Sequence, residues 1–249
     1  MAKRKTWILS GLGILGLLAS FMIFWFYFTK PVSFPTNEQL VKEINRTFPE
    51  ASASVIQETI PVDDRHVVVP FISNEDKYGL SYWVWKKHKW TVATIDTKGE
   101  PKIWKINRKD PSAYHLVWNI HPEDQVSSIA YYLIRDRGYQ ITEGIENYVP
   151  RVQMEKKVSL QEKPYGVMEL PDEWTGFMNA VIEVESTQKP NLFFNNFFPE
   201  RNMFLGWIPY DQSDKETFPE GSVNGNGYSN GNQVIDHMMI LNKGDLEYR

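Results

Sequence analysis

Without a cysteine, this chain must draw any chemistry from its histidines, carboxylates, hydroxyls and tryptophans. Disulfides, thiolate catalysis and Cys-ligated zinc or iron–sulfur sites are excluded. The five histidines, His66, His88, His115, His121 and His237, show no zinc-type spacing such as H-E-x-x-H, so neither a metal nor another cofactor is expected. Ser186-Thr-Gln-Lys189 has the S-x-x-K spacing of penicillin-interacting enzymes. That motif needs Lys one helical turn from Ser, whereas Pro190 follows the Lys directly and no Lys-Thr-Gly element accompanies it. Ser222, Asn224, Asn226 and Gly227 fall on early positions of a calcium loop, but Gln233 ends the alignment and no carboxylate is present, so calcium is not expected. Paired carboxylates for glycoside hydrolysis have no fixed spacing in sequence. Glu123, Asp124, Asp172 and Glu173 are the first candidates, although acids at helix N-termini suit the helix dipole without any chemistry.

A second group could bind rather than react. Trp83, Trp85 and Trp90, fringed by Lys86, Lys87 and Lys89, would share one face of a hairpin if its turn is Lys87-His88. Two readings stand: an aromatic shelf for a sugar or a peptide, or a buried contact with the C-terminal half, the commoner fate of tryptophans in sheets. Charge points the same way. The chain carries 27 Lys and Arg against 31 Asp and Glu, yet Lys77 to Lys109 holds nine basic residues and only Asp96 and Glu100 as acids. Such asymmetry suits contact with a polyanion, and equally a solvated sheet face with lysines protecting an edge.

The glycines of Gly11-Leu-Gly-Ile-Leu-Gly16 match G-x-G-x-x-G, but they lie inside Trp7 to Phe28, a run with no charge and no proline. A nucleotide turn needs a strand before it and a helix after it. A helix of 22 residues spans about 33 Å, enough for a ~30 Å hydrocarbon core, and Trp7, Trp25 and Tyr27 sit where interfacial aromatics belong. Lys3, Arg4 and Lys5 precede the run and only Lys30 follows it closely, so the N-terminus is expected in the cytoplasm. The run is too long for a cleaved signal peptide. Gly16 and Ser20 form a small-xxx-small pair that would let two such helices approach, a weak homodimer. The expectation is a cytoplasmic tail at 1–6, a single-pass signal anchor at 7–28, and an extracytoplasmic remainder in a bacterial cell envelope, where disulfide-free exported domains are ordinary.

Several elements can be placed beyond that run. Thr36-Asn37-Glu38-Gln39 reads as a capping box ahead of Leu40, Val41, Ile44 and Phe48 on one helical face, with Pro49 as the stop. Val67–Phe71, Leu80–Trp85, Trp90–Ile95 and Ile103–Ile106 read as an antiparallel meander, with Lys98-Gly99 as the clearest hairpin signal. The second face of that meander should carry Tyr82, Val84, Ala93, Ile95, Trp104 and Ile106. Asn107 to Pro111 marks a boundary between subdomains at 31–109 and 111–249. Pro122-Glu-Asp124 should open a second helix with Val126, Ile129, Ala130, Leu133 and Ile134 on its apolar face and Gly138 as its stop. Short strands follow near Tyr139–Thr142, Arg151–Leu160 and Gly166–Leu170. Trp174 to Ile182 has helical spacing, although Ala180–Val184 also suits a strand. Asn191–Phe198 and Met203–Ile208 are strand-like, and Val234–Leu241 reads as a closing strand. The segment 211–232, rich in Asn-Gly steps, is expected to be a mobile loop with little to bury.

The fold class expected is therefore α+β: one transmembrane helix, then an antiparallel meander with a few amphipathic helices. The function expected is a membrane-anchored, non-catalytic envelope module that lies on the lipid bilayer and binds a protein partner or an anionic polymer, with no role for nucleic acid. The alternative is a wall-modifying hydrolase with two acids in a cleft between the subdomains.

Overall fold

Thr36 caps a helix as the sequence pattern requires. Its backbone N–H donates to Gln39 Oε1 (3.0 Å) and its hydroxyl to Glu38 (2.8 Å) in a computed structural model describing residues 30–142, 145–188 and 203–247 with scattered positions from 13 to 22. Helix α1 (Asn37–Thr47) buries Leu40 and Ile44 completely. Pro49 ends it, and the Asn45 side chain then holds both the N–H and the C=O of Ala53, fixing the start of the first strand.

The described residues are mainly antiparallel β, with 45% of them in strands and 21% in helices, which corrects the expected α+β class. Strands β1 (Ala53–Ile56), β2 (Ile60–Asp63), β3 (His66–Ser73), β4 (Tyr78–Lys86), β5 (Lys89–Asp96) and β14 (Gly227–Ser229) form sheet A, ordered β1-β3-β4-β5-β14 with β2 also on β3. Sheet B is β12-β7-β6-β15, from β6 (Gly99–Lys105), β7 (Tyr114–Asn119), β12 (Tyr165–Glu169) and β15 (Val234–His237). Sheet C is β11-β8-β13-β16, from β8 (Ser128–Arg135), β11 (Val152–Ser159), β13 (Met203–Tyr210) and β16 (Met239–Ile240), the last running parallel to β13. Strands β9 (Gly138–Thr142) and β10 (Ile145–Val149) pair only with each other. Helix α2 (Asp172–Gln188) lies where helical spacing placed it.

Four apolar layers hold these parts together. Leu40 and Ile44 of α1 pack on Val67, Val69, Phe71, Trp83, Val92 and Ile95 of sheet A. The reverse face of sheet A, with Val68, Leu80 and Tyr82, meets Trp104 and Val117 of sheet B. The far face of sheet B packs with α2 against Ile129, Tyr131 and Leu133 of β8. Ala130, Tyr132 and Ile134 face the other way and are covered by Leu241 and Leu246 near the C-terminus.

This layering explains why the expected second helix is a strand. Pro122–Asp124 makes a single 3-10 turn, closed by Gln125 in the left-handed region (φ 55°). Strand β8 is then buried on both faces, and such a strand is apolar throughout, so spacing alone cannot tell it from a buried helix. The Lys98-Gly99 hairpin is a second correction: β5 and β6 belong to different sheets, and Gly99 stands at the crossing. A Cβ on Gly99 would come 2.1 Å from the Asn119 carbonyl oxygen. Gly99→Ala is therefore expected to cost about 1–3 kcal/mol by overpacking, read as a lower urea midpoint at unchanged slope.

Among the described residues no helix is long and apolar enough to cross a membrane. The expected transmembrane signal anchor, and with it the single-pass, extracytoplasmic placement, is corrected on that finding. Trp7, Trp25 and Tyr27, like Asn191–Phe198, lie outside the described residues.

Candidate functional site

The tryptophan face is a lid over α1 and not a shelf. As a two-residue turn at Lys87-His88 requires, Trp85 pairs with Trp90 and Trp83 with Val92. Trp83 and Trp85 are buried, and Phe34 stacks edge-on against Trp83 (5.8 Å) and Trp90 (4.8 Å). Trp90 Nε1 donates to the Val32 carbonyl (3.1 Å), so the segment leading into α1 closes this face. Lys86, Lys87 and Lys89 remain exposed at the tip of the hairpin. Both turn residues are left-handed, Lys87 at φ 53° and His88 at φ 60°. Asn-Gly fills such a turn at least strain, and a non-glycine residue there costs of order 1 kcal/mol. Lys86 and Lys89 are also directly opposed across the hairpin, a like-charge pair that weakens it further.

The other basic residues of the Lys77–Lys109 stretch are dispersed by the fold. Lys77 pairs with Glu75, Lys98 donates to the Glu220 carbonyl, Lys102 pairs with Asp96 and Lys105 with Asp236. The positive patch legible in sequence thus divides between the hairpin tip and the exposed Arg108-Lys109 step that follows β6.

A second site lies between sheets A and B and was not singled out in the sequence. A β-bulge at Ala93 breaks the β4–β5 register, so Tyr82 pairs with Thr94 where a regular hairpin would bring Ala93. Ile95 therefore turns toward α1, against expectation, and Thr94 and Asp96 turn toward sheet B. Asn230 secures the bulge: its backbone N–H donates to the Ala93 carbonyl (3.0 Å) and its side-chain amide to the Val92 carbonyl (3.1 Å). The segment 211–232 in fact supplies three buried residues, Pro219, Ser222 and Val223, and strand β14, which pairs with β5. Asp124 anchors it, accepting from the Gly221 N–H (2.7 Å) and from the Ser222 hydroxyl.

Thr94, Asp96, Lys102, Tyr228, Ser229 and Gln233 line a cavity of about 200 Å³ at this junction. Lys102 Nζ donates to Asp96 Oδ1 (2.6 Å), both side chains being almost wholly buried. Asp96 Oδ2 has no partner among the described residues, nor does the nearby Tyr82 hydroxyl. Burial pushes the Asp96 carboxyl above its ordinary value, against the pull of the Lys102 ammonium. Burial raises the Tyr82 hydroxyl as well, helped by the charges of Asp96 and Glu100. Trp104 Nε1 fixes the Gln233 side chain (2.9 Å), and His237 pairs with Glu100 (2.8 Å).

A cavity of about 380 Å³ lies on the outer face of sheet C, where the Lys157 and Lys243 ammonium groups both stand over the Tyr210 ring (5.1 and 5.4 Å). Its acids are committed: Asp214 to Lys157, which holds that carboxyl low, Glu247 to Arg137, and Glu155 to the Tyr132 hydroxyl. The acids first suggested for hydrolysis do not converge. Asp124 holds the 221–222 turn, Glu123 lies in the neighbouring 3-10 turn, and Asp172 and Glu173 open α2. Of the histidines, His66 pairs with Asp63 (2.8 Å), and His121 donates from Nε2 to the Asp76 carbonyl (2.8 Å) while Nδ1 accepts from the Glu123 N–H. Burial lowers the pKa of His115. Among the described residues no group of three or more His, Cys, Asp or Glu could hold a metal ion. Ser186 ends up within α2, and Lys189 of the S-x-x-K match lies outside the described residues.

No protein-family model, curated protein or solved structure gives a significant match to this chain. Among the described residues the architecture is three mainly antiparallel sheets and a separate two-stranded one.

Proposed function

We propose that the protein is a non-catalytic binding module whose β4–β5 hairpin tip meets an anionic polymer. The observation that carries this reading is the turn itself. Lys87 and His88 occupy two left-handed positions, and Lys86 and Lys89 oppose each other, so three cations are gathered at a cost in both strain and repulsion. Strain of this kind is retained where a function uses it. A polyanion bridging the three ammonium groups would relieve the repulsion, and the edge-on pair of buried Trp85 with half-buried Trp90 gives the tip a rigid base. The dispersal of the carboxylates, with no second acid beside Asp96 in its cavity, favours this reading over a two-acid hydrolase.

The test is binding of the full chain to a fluorescent inorganic polyphosphate, titrated at low and at physiological salt. Each lysine near an anionic surface contributes about 1 kcal/mol. Lys86→Gln/Lys87→Gln/Lys89→Gln should therefore weaken binding by roughly two orders of magnitude, and added salt should weaken the wild type steeply. Salt-insensitive binding, or equal binding by the triple variant, would overturn the proposal.

A further inference from the structure

We infer that Asn224 is a site of spontaneous covalent modification, where the side-chain amide closes on the Gly225 nitrogen and water then opens the ring to aspartate or isoaspartate. This site is separate from the hairpin tip and owes nothing to it. The chain has three Asn-Gly steps, Asn224-Gly225, Asn226-Gly227 and Asn230-Gly231, all within one short segment. A glycine after asparagine leaves the attacking nitrogen without a neighbouring Cβ and the backbone free to turn. By their letters the three steps are equal. The fold makes them unequal.

The chemistry balances without an oxidant or a cofactor. The Gly225 nitrogen attacks the Asn224 side-chain carbonyl carbon, a new C–N bond forms, and the bond from that carbon to Nδ2 breaks. The proton shed by the Gly225 nitrogen leaves with the amide as ammonia. Water then cleaves one of the two C–N bonds of the cyclic imide, giving aspartate at one carbonyl and isoaspartate at the other. Either product adds one negative charge to a chain of formal net charge −4.

Two of the three steps are tied down. Asn230 Nδ2 donates to the Val92 carbonyl (3.1 Å), and its Oδ1 accepts from the Asn232 N–H (2.9 Å). The nucleophile beside it is also engaged, because the Gly231 N–H donates to the Ser229 hydroxyl (3.2 Å). Asn226 Nδ2 donates to Glu50 Oε2 (3.1 Å). Its backbone is clamped to Thr97, donating to Oγ1 (2.8 Å) and accepting from the Thr97 N–H (2.9 Å). Asn224 is different. It is exposed, lies outside every strand, and stands in the left-handed region at φ 59°. Neither its side-chain amide nor the Gly225 N–H has a hydrogen-bond partner among the described residues. Each bond that must open before ring closure slows the reaction by about twofold to tenfold, the net worth of one hydrogen bond. The restraint falls where reaction would do most harm, since Asn230 holds the Ala93 bulge and Asn226 docks β14.

The experiment ages the full chain in warm, mildly alkaline buffer made with heavy-oxygen water, and reads each step by peptide mapping with tandem mass spectrometry. In the folded protein Asn224 should convert about tenfold faster, or more, than Asn226 or Asn230. In urea the three rates should draw together, because their chain neighbours are alike. The rate at Asn224 should rise with pH, since the Gly225 nitrogen must lose its proton to attack. Asn224→Gln, whose longer side chain closes a less favourable ring, should abolish the acidic form that accumulates on ion exchange. Gly225 cannot serve as the control, because a Cβ there would come 2.9 Å from the Lys98 backbone nitrogen. Equal rates at the three steps in the folded protein, faster conversion at Asn226 or Asn230, or no heavy oxygen at position 224 would each overturn the inference. The wild-type comparison decides even if the variant misfolds.

Discussion

Lys102→Met should destabilise the protein by about 3–5 kcal/mol at neutral pH, because it leaves the Asp96 carboxylate buried without its counter-charge. The loss should depend on pH in one direction. Burial holds the folded-state carboxyl of Asp96 above its unfolded value of 3.8. Between those two values the folded chain binds more protons than the unfolded one, so stability falls as pH rises through this window. Removing the Lys102 ammonium takes away the largest opposing influence and widens the window upward. Of the other charged groups near Asp96, His237 acts in the same sense as Lys102 and Glu100 acts against it. Denaturant unfolding followed by tryptophan fluorescence should show a small deficit near pH 4 and a full one near pH 7.5. Asp96→Asn/Lys102→Met should recover most of it, since no buried charge is then left alone. A deficit equal at both pH values would show that Lys102 stabilises through packing of its stem and not through Asp96.

Trp104→Ala is expected to cost a similar amount, about 3–5 kcal/mol, by a different mechanism. Trp104 is fully buried between sheets A and B, edge-on to Tyr82 (5.3 Å) and His66 (5.2 Å). Its removal opens a void that two sheets cannot close without breaking register, and it strands the Gln233 side chain. The contrast is Tyr139→Ala on β9, where a 62% exposed ring should cost less than about 0.5 kcal/mol. Thermal unfolding of the two variants side by side separates the cases. Comparable losses would mean that Trp104 is not the joint between the sheets.

Local signals suffice where one short stretch decides its own conformation. The capping box at Thr36, the Lys87-His88 turn with its Trp85–Trp90 pair, and the helix after Pro171 all depend on neighbours within a few residues. Such signals do not suffice where burial on two faces erases periodicity. Ser128 to Arg135 is apolar because layers lie above and below it, and nothing within those eight residues says so. The Lys98-Gly99 step looked like a hairpin for a related reason. A glycine that permits a turn and one that permits close approach to Asn119 are the same letter.

From sequence alone came the absence of thiol chemistry, the concentration of cations between Lys77 and Lys109, and the pairing of tryptophans behind the lysines of one turn. Tertiary structure alone decided which of those cations stay free to meet a partner, because Lys102 and Lys105 find their carboxylates across strands distant in the chain or on opposite sides of a sheet junction. It alone made the polar cavity as well. One bulged residue, Ala93, held by Asn230 from more than a hundred residues away, exchanges the side chains on the two faces of β5 and turns Thr94 and Asp96 inward. A period of two carries no record of where it slips, so that exchange is set by a long-range hydrogen bond and not by the strand's own residues.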